Sequence, residues 1–237
     1  MISIVIPAYN EEKTIVPCLT ALNKLKIAQK YEVIVVNNNS TDKTVEVIKP
    51  FTNKLPLRIV NETKKGRSPA RRAGFAVAKG DIIFSTDADA IVPPDWIKEI
   101  LPHFSDPNIV AVSGTCKIHD CSLRINTLFN FIQPLSMKLY RIVFGHYWLS
   151  GFSFAIRKET YHQSGGFHPT LNIQEDIDLA FRVARIGKIK YIPRPVVLFS
   201  GRRFQNGLLQ GLIPYVKSYY MYSVLKKEDK VFLSDVR

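Results

Sequence analysis

The chain has 237 residues, of which 46% are hydrophobic, and this composition indicates a folded globular protein rather than a disordered one. Its formal net charge is +13, and residues 179–237 contain twelve Lys and Arg against three Asp and Glu. Such a basic half favours anionic partners such as phosphorylated ligands, nucleic acid or an acidic membrane surface, and composition alone does not choose among them.

The first half of the chain alternates strand and helix patterns. Five apolar runs predict strands: "ISIVIP", "YEVIVVNN", "LRIV", "DIIFSTD" and "IVAVSG". Helical patterns between them run from Glu11 to about Ile27, from the capping pair Thr41 and Asp42 towards Pro50, through "SPARRAGFAVAKG" and through "PPDWIKEILPHF". Continuous apolar strands that alternate with helices predict an α/β fold whose parallel sheet is covered on both faces.

The second half is less regular. Residues 123–150 are aromatic and apolar but are interrupted by Pro134, Lys138 and Arg141. "GFSFAIRKETYHQSGGF" predicts a short strand, a turn of helix and a double-glycine turn. "QEDIDLAFRVARIGKIKYIP" predicts a helix that stops at Gly187 and a strand after it, and a further helix is expected from Gln205. Without an internal repeat or a low-complexity linker, one continuous domain is the simplest prediction.

The cysteines and the amino terminus bear on location. Cys18, Cys116 and Cys121 show no metal-ligand spacing, so we expect reduced thiols in a cytoplasmic protein, without a disulfide framework or a zinc site. No signal-peptide pattern precedes "ISIVIPAYN", and no stretch reaches the roughly 20 apolar residues of a membrane span. The expectation is a protein on the cytosolic side.

Two aspartates follow the fourth predicted strand. In an extended segment, residues i and i+2 point to the same side, so Asp87 and Asp89 face one place beyond the strand's C-terminal end. The polar clusters "PAYNEE" and "NNNSTD" follow the first two strands, and ligands of parallel sheets bind at that edge. Two close carboxylates repel each other, and oxygen ligands favour Mg²⁺ or Mn²⁺. The alternative is a polar turn that caps the next helix.

The ordered series "VIPAYNEE", "VIVVNNNSTDKT", "DADA" and "EDIDLAFRVARIG" resembles family 2 glycosyltransferases of the GT-A fold, over roughly residues 2–200. The resemblance implies a Rossmann-like α/β fold with a central, mostly parallel sheet flanked by helices. It also implies an inverting transfer of a sugar from a UDP- or GDP-linked donor to an acceptor hydroxyl or phosphate. The implied organisation is one domain over 1–237, with a nucleotide-sugar-binding half (about 1–115), an acceptor-binding half (about 116–204) and an amphipathic tail (205–237).

The same resemblance assigns the acidic residues. Asp89 would bind the metal directly, and Asp87 would contact the ribose or bind the metal through water. Asp176, with Glu175 beside it, would be the general base that takes the proton of the acceptor. The alternative is that Glu175 and Asp176 are only first-turn charges of a helix. With a phosphate acceptor, which is already ionised, Asp176 would mainly orient it.

Further residues are implied on the donor side. The nucleotide would be contacted by a set drawn from three segments: Pro7, Ala8, Tyr9, Glu11, Asn38, Arg71 and Ala88. Relatives commonly read Asp-Asp-Gly or Asp-Asn-Gly where this chain reads Asn37-Asn38-Asn39, which leaves the base open because an amide both donates and accepts. Thr41 and Asp42 are expected to cap the next helix.

The segment "VVLFSGRRFQNG" departs from the family. It has neither the metal-binding histidine nor the Gln-x-x-Arg-Trp motif of processive polymerases, which favours the addition of one sugar, and Ser200 is the residue that could replace the histidine. Arg202 and Arg203 could grip the diphosphate, and the alternative is a basic surface loop. Gly151 in "GFSFAIRKE" is expected on the acceptor side, and a packing role would also explain a glycine there.

A lipid-linked acceptor is hypothesised from aromatic residues. Eight lie between residues 128 and 154, and the tail adds "LLQGLIPYVKSYYMYSVLKK". Aromatic and basic residues in amphipathic stretches are typical of the headgroup layer, so we expect peripheral contact with the cytosolic face of a membrane. The acceptor would be a polyprenyl phosphate or a lipid-linked glycan. Core packing or dimer contacts would explain the same aromatics.

Two other classes of protein compete with this interpretation. A sugar-nucleotide pyrophosphorylase would need a glycine-rich, basic loop after the first strand, and "IVIPAYNEE" lacks one. A nucleic-acid-binding module would have no reason to cluster carboxylates beyond the strand ends, where they repel phosphates. No nucleic-acid partner is therefore expected.

Overall fold

The computed structural model describes residues 1–171 and 173–223. This part of the chain forms an eight-stranded sheet with the strands β1 (Ile2–Ala8), β2 (Tyr31–Asn37), β3 (Leu57–Asn61), β4 (Ile82–Ser85), β5 (Ala90–Ile91), β6 (Ile109–Ile118), β7 (Phe154–Arg157) and β8 (Lys188–Phe199). The helices are α1 (Ile15–Leu22), α2 (Thr44–Ile48), α3 (Arg67–Val77), α4 (Trp96–Ile100), α5 (Leu123–Phe144), α6 (Lys158–Gln163), α7 (Glu175–Val183) and α8 (Leu208–Ser223).

The strand order across the sheet is β3-β2-β1-β4-β7-β6-β8-β5. Strands β3, β2, β1 and β4 are mutually parallel, and β6 is parallel to β8. The mostly parallel sheet is therefore confirmed. Strand β7 is antiparallel and lies between β4 and β6, so the fourth and fifth predicted strands are not neighbours. The chain crosses from β3 back over β1 to β4, which opens a ligand crevice at the carboxyl ends of these strands.

Two hydrophobic cores cover the two faces of the sheet, as the unbroken apolar strands predict. In β1, Ile4 and Ile6 pack on one face with residues of α1 and α4, whereas Val5 packs on the other face with residues of α3 and α7. Because adjacent residues of one strand serve opposite cores, its register is fixed from both sides. The carboxyl end of β1 is thus held firmly in place.

Several predicted boundaries differ from those observed. The helix expected from Glu11 begins only at Ile15, because Glu11 closes a turn in which its carbonyl accepts hydrogen bonds from the backbone of Thr14 and Ile15. It ends at Leu22 rather than near Ile27. The helices before Pro50 and through "PPDWIKEILPHF" end in 3-10 turns, and the strand at "KIKYI" extends to Phe199.

Helix α5 is continuous through Pro134, which the sequence indicated as an interruption. Contacts with β6 hold its inner side: Gln133 accepts a hydrogen bond from Thr115 at 2.6 Å, and the side-chain amide of Asn130 bonds both backbone groups of Ile118. These tertiary contacts override the local cost of an interior proline. Gly145, at φ 78°, ends the helix.

The aromatic residues behind the membrane hypothesis mostly pack inward. Of the eight, only Phe131 is exposed, with 70% of its surface accessible; the others are Phe129, Tyr140, Phe144, Tyr147, Trp148, Phe152 and Phe154. Tyr140, Phe144 and Trp148 form ring contacts that extend to Phe181. Phe131 is therefore the one member of this set that the structure presents as an exposed ring, and contact of the aromatics with a headgroup layer stays a prediction.

The predicted amphipathic tail is described only in part. Helix α8 begins at Leu208, three residues after the expected start, and the segment after residue 223, with its "KKEDK" run, lies outside the described residues. Across the described part of the chain, no helix is both long enough and apolar enough to cross a membrane. Strands from both proposed halves share one sheet, and the division near residue 115 stays a prediction.

Candidate active site

The turns after β1 and β2 meet at the carboxyl edge of the sheet, as predicted. The backbone N–H of Thr41 donates to the side-chain oxygen of Asn10 at 2.8 Å, and the backbone N–H of Glu11 donates to the hydroxyl of Thr44 at 2.7 Å. Asp42 accepts from the backbone N–H of Thr44, the first residue of α2, at 3.0 Å. Asp42 therefore satisfies a backbone N–H at the start of α2, as expected. Thr41, in contrast, bonds to Asn10 of the neighbouring turn.

Arg71 in α3 is the centre of the site. Its side chain is only 4% exposed, and it forms ion pairs with Asp87 at 2.6 Å and with Glu175 at 3.2 Å. It also donates to the hydroxyl of Ser85 at 2.6 Å and to the carbonyl of Gly151 at 3.4 Å. Burial alone would lower the pKa of Arg71, but the two carboxylates outweigh it and raise the pKa. One guanidinium group thus joins α3, β4 and α7.

Asp176 lies next to Glu175 in the first turn of α7 and is held by backbone groups. Its carboxylate accepts from the backbone N–H of Gly151 at 3.1 Å and from that of Ile177 at 2.9 Å. Burial and the neighbouring Glu175 raise the pKa of Asp176 to about 7, against the opposing effect of Arg71. A carboxyl group with this pKa exchanges protons near neutrality, which is what a general base requires.

Asp89 is paired with Arg202, from the 3-10 turn after β8. The Arg202 guanidinium lies 2.9 Å from Asp89 and grips Glu11 with two hydrogen bonds of 2.8 and 3.1 Å. Burial and the nearby Asp87 and Glu11 raise the pKa of Asp89 to about 7, although Arg202 opposes the rise. Arg202 therefore faces two carboxylates, those of Asp89 and Glu11.

Other predicted donor-side residues are placed less directly. The side chains of Ala8 and Ala88 belong to the hydrophobic core, so only their backbone groups can face a ligand, and Pro7 is half-buried within β1. Asn38 donates to the carbonyls of Glu62 and Lys64 and accepts from the backbone N–H of Gly66 at 2.8 Å. Its amide therefore orders the loop before α3, and its contact with a base stays a prediction.

Tyr9 carries a partner that the sequence did not indicate. The ammonium group of Lys65 lies 2.6 Å from the Tyr9 hydroxyl and 4.2 Å from the centre of its ring. The Asn38-bound loop therefore places a cation beside the predicted nucleotide position. Lys65 lies in a polar run without periodicity, so only the "KKGR" charge cluster could have indicated it.

The Arg202 turn is fastened to the start of α5. Asp120 accepts hydrogen bonds from the Ser200 hydroxyl at 2.7 Å and from the backbone N–H of Gly201 at 2.6 Å. Ser200 therefore serves this turn, and its suggested role in place of a metal-binding histidine stays without support. Arg203 lies in the same turn and is half-buried, but the ion pairs to the acidic residues described above come from Arg202.

Backbone strain also marks this edge. Within the described residues, the non-glycine residues with positive φ are Asn10, Asn39 and Gln174. Asn10 and Asn39 follow β1 and β2, and Gln174 directly precedes Glu175 in α7. Asparagine tolerates this conformation, but glutamine in it is uncommon. Its position immediately before the two acidic residues is typical of a functional site.

The sequence could have indicated two further residues, Ser85 and Thr86. Both are fully buried polar residues, Ser85 at the end of the apolar strand β4 and Thr86 directly after it, and a buried hydroxyl needs a partner. Ser85 holds Arg71, and Thr86 donates to the carbonyl of Phe152 at 2.8 Å. They fix the strand end that precedes Asp87 and Asp89.

The donor set fits a hard divalent cation that also binds a ligand's phosphates. Among the described residues, no group of three or more His, Cys, Asp or Glu side chains is arranged to hold a metal ion. Mg²⁺ and Mn²⁺ sites in nucleotide enzymes commonly use only one or two carboxylates and take other oxygens from the substrate. Asp89 and Asp87 match that pattern, since burial and, after it, the charge of Asp87 raise the pKa of Asp89, and a cation would offset both effects.

Comparison with known proteins gives a family match over most of the chain. The model of the family described as Glycosyl transferase family 2 matches residues 3–175. The probable glycosyltransferase YdaM of Bacillus subtilis is 30% identical over 210 residues, which are 82% of this chain and 49% of that protein. The dolichol-phosphate mannosyltransferase of Pyrococcus furiosus is 30% identical over 48% of this chain and 32% of that protein. The chain thus spans half or less of these relatives.

A solved structure with a similar fold is the mannosyltransferase PcManGT from Pyrobaculum calidifontis, in complex with GDP-Man and Mn²⁺. The two are superposed with a TM-score of 0.67 over 98% of this chain and 70% of that one, at 23% identity. The α/β fold of GT-A type, expected from the sequence, is confirmed.

We expect Arg71→Met to lower the free energy of unfolding by about 3–5 kcal/mol, because it leaves the buried Glu175 without its cation. Urea denaturation at neutral pH measures this. The control is Arg72→Met, at the exposed neighbouring position, which should change stability by less than about 0.5 kcal/mol. An Arg71→Met protein with the denaturation midpoint of the wild type would show that the bridge does not stabilise the fold.

Proposed function

This chain belongs to glycosyl transferase family 2, and we propose that it transfers a sugar from a UDP- or GDP-linked donor to an acceptor, with inversion at the anomeric carbon. The observation that carries the proposal is the joining of two acidic pairs by Arg71. Asp87 and Asp89 lie on one side of this residue, and Glu175 and Asp176 lie on the other. The proposed donor site and the proposed proton-accepting group would thereby share one crevice.

The donor side would act by charge complementarity. Asp89 and Asp87 would hold Mg²⁺ or Mn²⁺, which would neutralise charge on the departing nucleoside diphosphate. The binding of GDP-Man and Mn²⁺ by PcManGT supports this assignment. Arg202, fixed by its two bonds to Glu11, would present its remaining donors to the diphosphate. Tyr9 and Lys65 would border the nucleotide, and Arg203 would add positive charge to the same turn.

The acceptor side would depend on Asp176. Inversion by single displacement needs a base in line with the leaving group, and Asp176 is held in place by two backbone N–H groups. Glu175 is committed to Arg71 and would position Asp176 rather than take the proton itself. Gly151 lies against both Arg71 and Asp176 and would set the wall on which the acceptor rests.

The acceptor is proposed to be a lipid-linked glycan or a polyprenyl phosphate. The similarity to a dolichol-phosphate mannosyltransferase supports this class, and the basic carboxyl-terminal half suits an anionic acceptor. The proposed location is the cytosolic face of a membrane. A screen of nucleotide sugars with Mn²⁺ by thermal shift would identify the donor used in the tests below.

Asp176→Asn should reduce kcat by about 10²–10⁴-fold, because the amide cannot take a proton. The dissociation constant for the donor should stay unchanged, since this residue lies on the acceptor side. In the wild type, kcat/KM should rise with pH up to about 7 and then level off, because the carboxyl group must lose its proton and its pKa is raised to about 7. Steady-state kinetics between pH 5 and 9 would measure this rise, and pH 5 lies roughly two units below that pKa.

The exposed Asp95→Asn variant is the matched control and should keep both kcat and the pH profile. Unchanged turnover in Asp176→Asn would remove this residue from the proton transfer.

Asp89→Asn and Asp87→Asn should differ in their effect on stability. Without ligand, Asp87→Asn should lower the free energy of unfolding by about 1–3 kcal/mol because Arg71 loses a charged partner. Asp89→Asn should lower it less, because burial already disfavours the charged form of Asp89 and Arg202 keeps Glu11 as a partner.

With Mn²⁺ and the donor, the wild type should gain about 2.7 kcal/mol at a hundredfold excess over Kd, and EDTA should abolish the metal-dependent part of this gain. Asp89→Asn should lose that part as well. Donor-induced stabilisation that is equal in wild type and Asp89→Asn, with or without EDTA, would contradict a metal site at Asp89.

Gly151→Ala should lower kcat/KM roughly tenfold or more, because the new Cβ would lie 2.5 Å from the Arg71 guanidinium and displace the crevice wall. The control is Gly145→Ala, whose Cβ meets nothing within 4 Å but whose positive φ costs roughly 1 kcal/mol. It should lose stability and keep its activity. A Gly151→Ala enzyme as active as Gly145→Ala would show that the close approach is not required.

A further inference from the structure

Helix α5 exposes apolar side chains that a helix of this kind would ordinarily bury. Among the described residues, seven of its large hydrophobic side chains are exposed, from 48% for Leu128 to 81% for Leu123. Five of them recur at helical spacing and form a continuous band, here called the α5 stripe: Leu128, Phe131, Leu135, Leu139 and Ile142. Large contiguous apolar patches on a protein surface mark interaction sites.

The orientation of α5 is the reverse of that of an ordinary amphipathic helix. Its buried residues are Met137 and the polar Gln133, which is bonded to Thr115 of β6. Side chains three and four apart share one face of a helix, so the polar contact with β6 requires the α5 stripe to point outward. The fold therefore holds this face towards the exterior.

The charges around the stripe select its partner. Exposed basic residues lie on the same helix at Arg124, Lys138 and Arg141, and residues 123–144 contain no Asp or Glu. An apolar face on a helix whose charged residues are all cations complements an anionic lipid surface, where apolar side chains reach the acyl boundary and cations meet phosphate headgroups. A symmetric contact with a second copy would bring two such cationic borders together.

We propose that the α5 stripe docks this protein on an anionic lipid bilayer. The helix would lie in the plane of the interface, in keeping with the finding that none of the described helices could cross a membrane. The exposed Leu209 and Ile213 of α8 would extend the apolar surface. This inference concerns aliphatic residues and Phe131, and does not depend on the aromatic residues that pack beneath α5.

The docking surface is connected to the active site. The ring of Phe129 in α5 lies 4.9 Å from that of Phe204, in the same turn as Arg202. Asp120 and Cys121, which precede α5, bond to Ser200 and Gly201. Docking would thus bring the edge of the crevice to the bilayer, where the proposed lipid-linked acceptor would lie. In this respect the inference rests on the proposed function, although vesicle binding itself requires no turnover.

Co-sedimentation with vesicles tests the proposal. The full chain should bind vesicles of phosphatidylcholine with phosphatidylglycerol at least tenfold more tightly than vesicles of phosphatidylcholine alone, and high salt should weaken this binding. Leu135→Gln with Leu139→Gln should weaken binding to the anionic vesicles at least tenfold. The matched control is Val16→Gln with Ile186→Gln, which alters two exposed apolar residues outside α5 and should bind as the wild type does.

The contribution of the basic residues of α5 is tested with a second double variant and a control of equal charge change. Arg124→Gln with Lys138→Gln should weaken binding, whereas Arg185→Gln with Lys188→Gln, at exposed positions outside α5, should have a smaller effect for the same change in net charge. Phe131→Trp preserves the apolar face, and the emission of its added tryptophan should shift to the blue when anionic vesicles are added. This measurement applies even if a polar double variant fails to fold.

The outcomes separate this inference from the proposed function. Vesicle binding by the Asp89→Asn variant at wild-type strength would support the docking surface whether or not the chain is a transferase. Equal binding by the wild type and the Leu135→Gln/Leu139→Gln variant would overturn it. A dimer in solution that this variant dissociates, without vesicle binding by the wild type, would also overturn it and assign the stripe to a second copy.

Discussion

The candidate active site depends on the burial of Arg71. A guanidinium group without water is stable only when anions and hydrogen-bond acceptors surround it, and here they come from β4, the segment before β7 and α7. Arg71 and Glu175 are 104 positions apart in the chain. Arg71 can therefore be buried only when the segments that carry Asp87 and Glu175 have folded around it. The residues of the crevice therefore contribute to the stability of the fold and cannot be formed independently of it.

The balance of charge follows from the same arrangement. Five carboxyl groups, those of Glu11, Asp87, Asp89, Glu175 and Asp176, meet two guanidinium groups, those of Arg71 and Arg202. Burial and, after it, the neighbouring carboxylates raise the pKa values of Asp89 and Asp176 to about 7, although the two guanidinium groups oppose the rise. Both residues have a raised pKa, but different ligands would restore their negative charge. A cation brought with the proposed donor would restore the charge of Asp89, whereas Asp176 lies beside Gly151, where an acceptor would release a proton to it.

The features that depend on residues close together in the chain could be predicted from the sequence. The alternation of Asp87 and Asp89, the unbroken apolar strands and the order of the motifs are all readable within short windows, and the position of these aspartates at a strand end followed from them. The pairing of Arg71 with Glu175 and of Arg202 with Glu11 was not readable, because contacts between distant segments leave no periodic signal. Tertiary packing also overrode the local signal of Pro134, through which α5 continues. Which side chains of α5 face the exterior depends on the contact between Gln133 and Thr115 of β6, and a sequence window does not contain that contact.

The position of α5 has a consequence for how acceptor and donor meet. The turn that carries Arg202 is bonded to the segment before α5 and packs on Phe129, so the donor side of the crevice and the outward stripe are fixed to the same few residues. A rigid connection of this kind sets the height of the crevice above any surface on which α5 rests. An acceptor that is anchored in that surface is confined to a narrow layer, and confinement raises its effective concentration at the crevice without any added contact. In this proposed arrangement the protein would need few residues to bind the acceptor itself, and the backbone of Gly151, which lies against Arg71 and Asp176, would suffice as part of the acceptor wall.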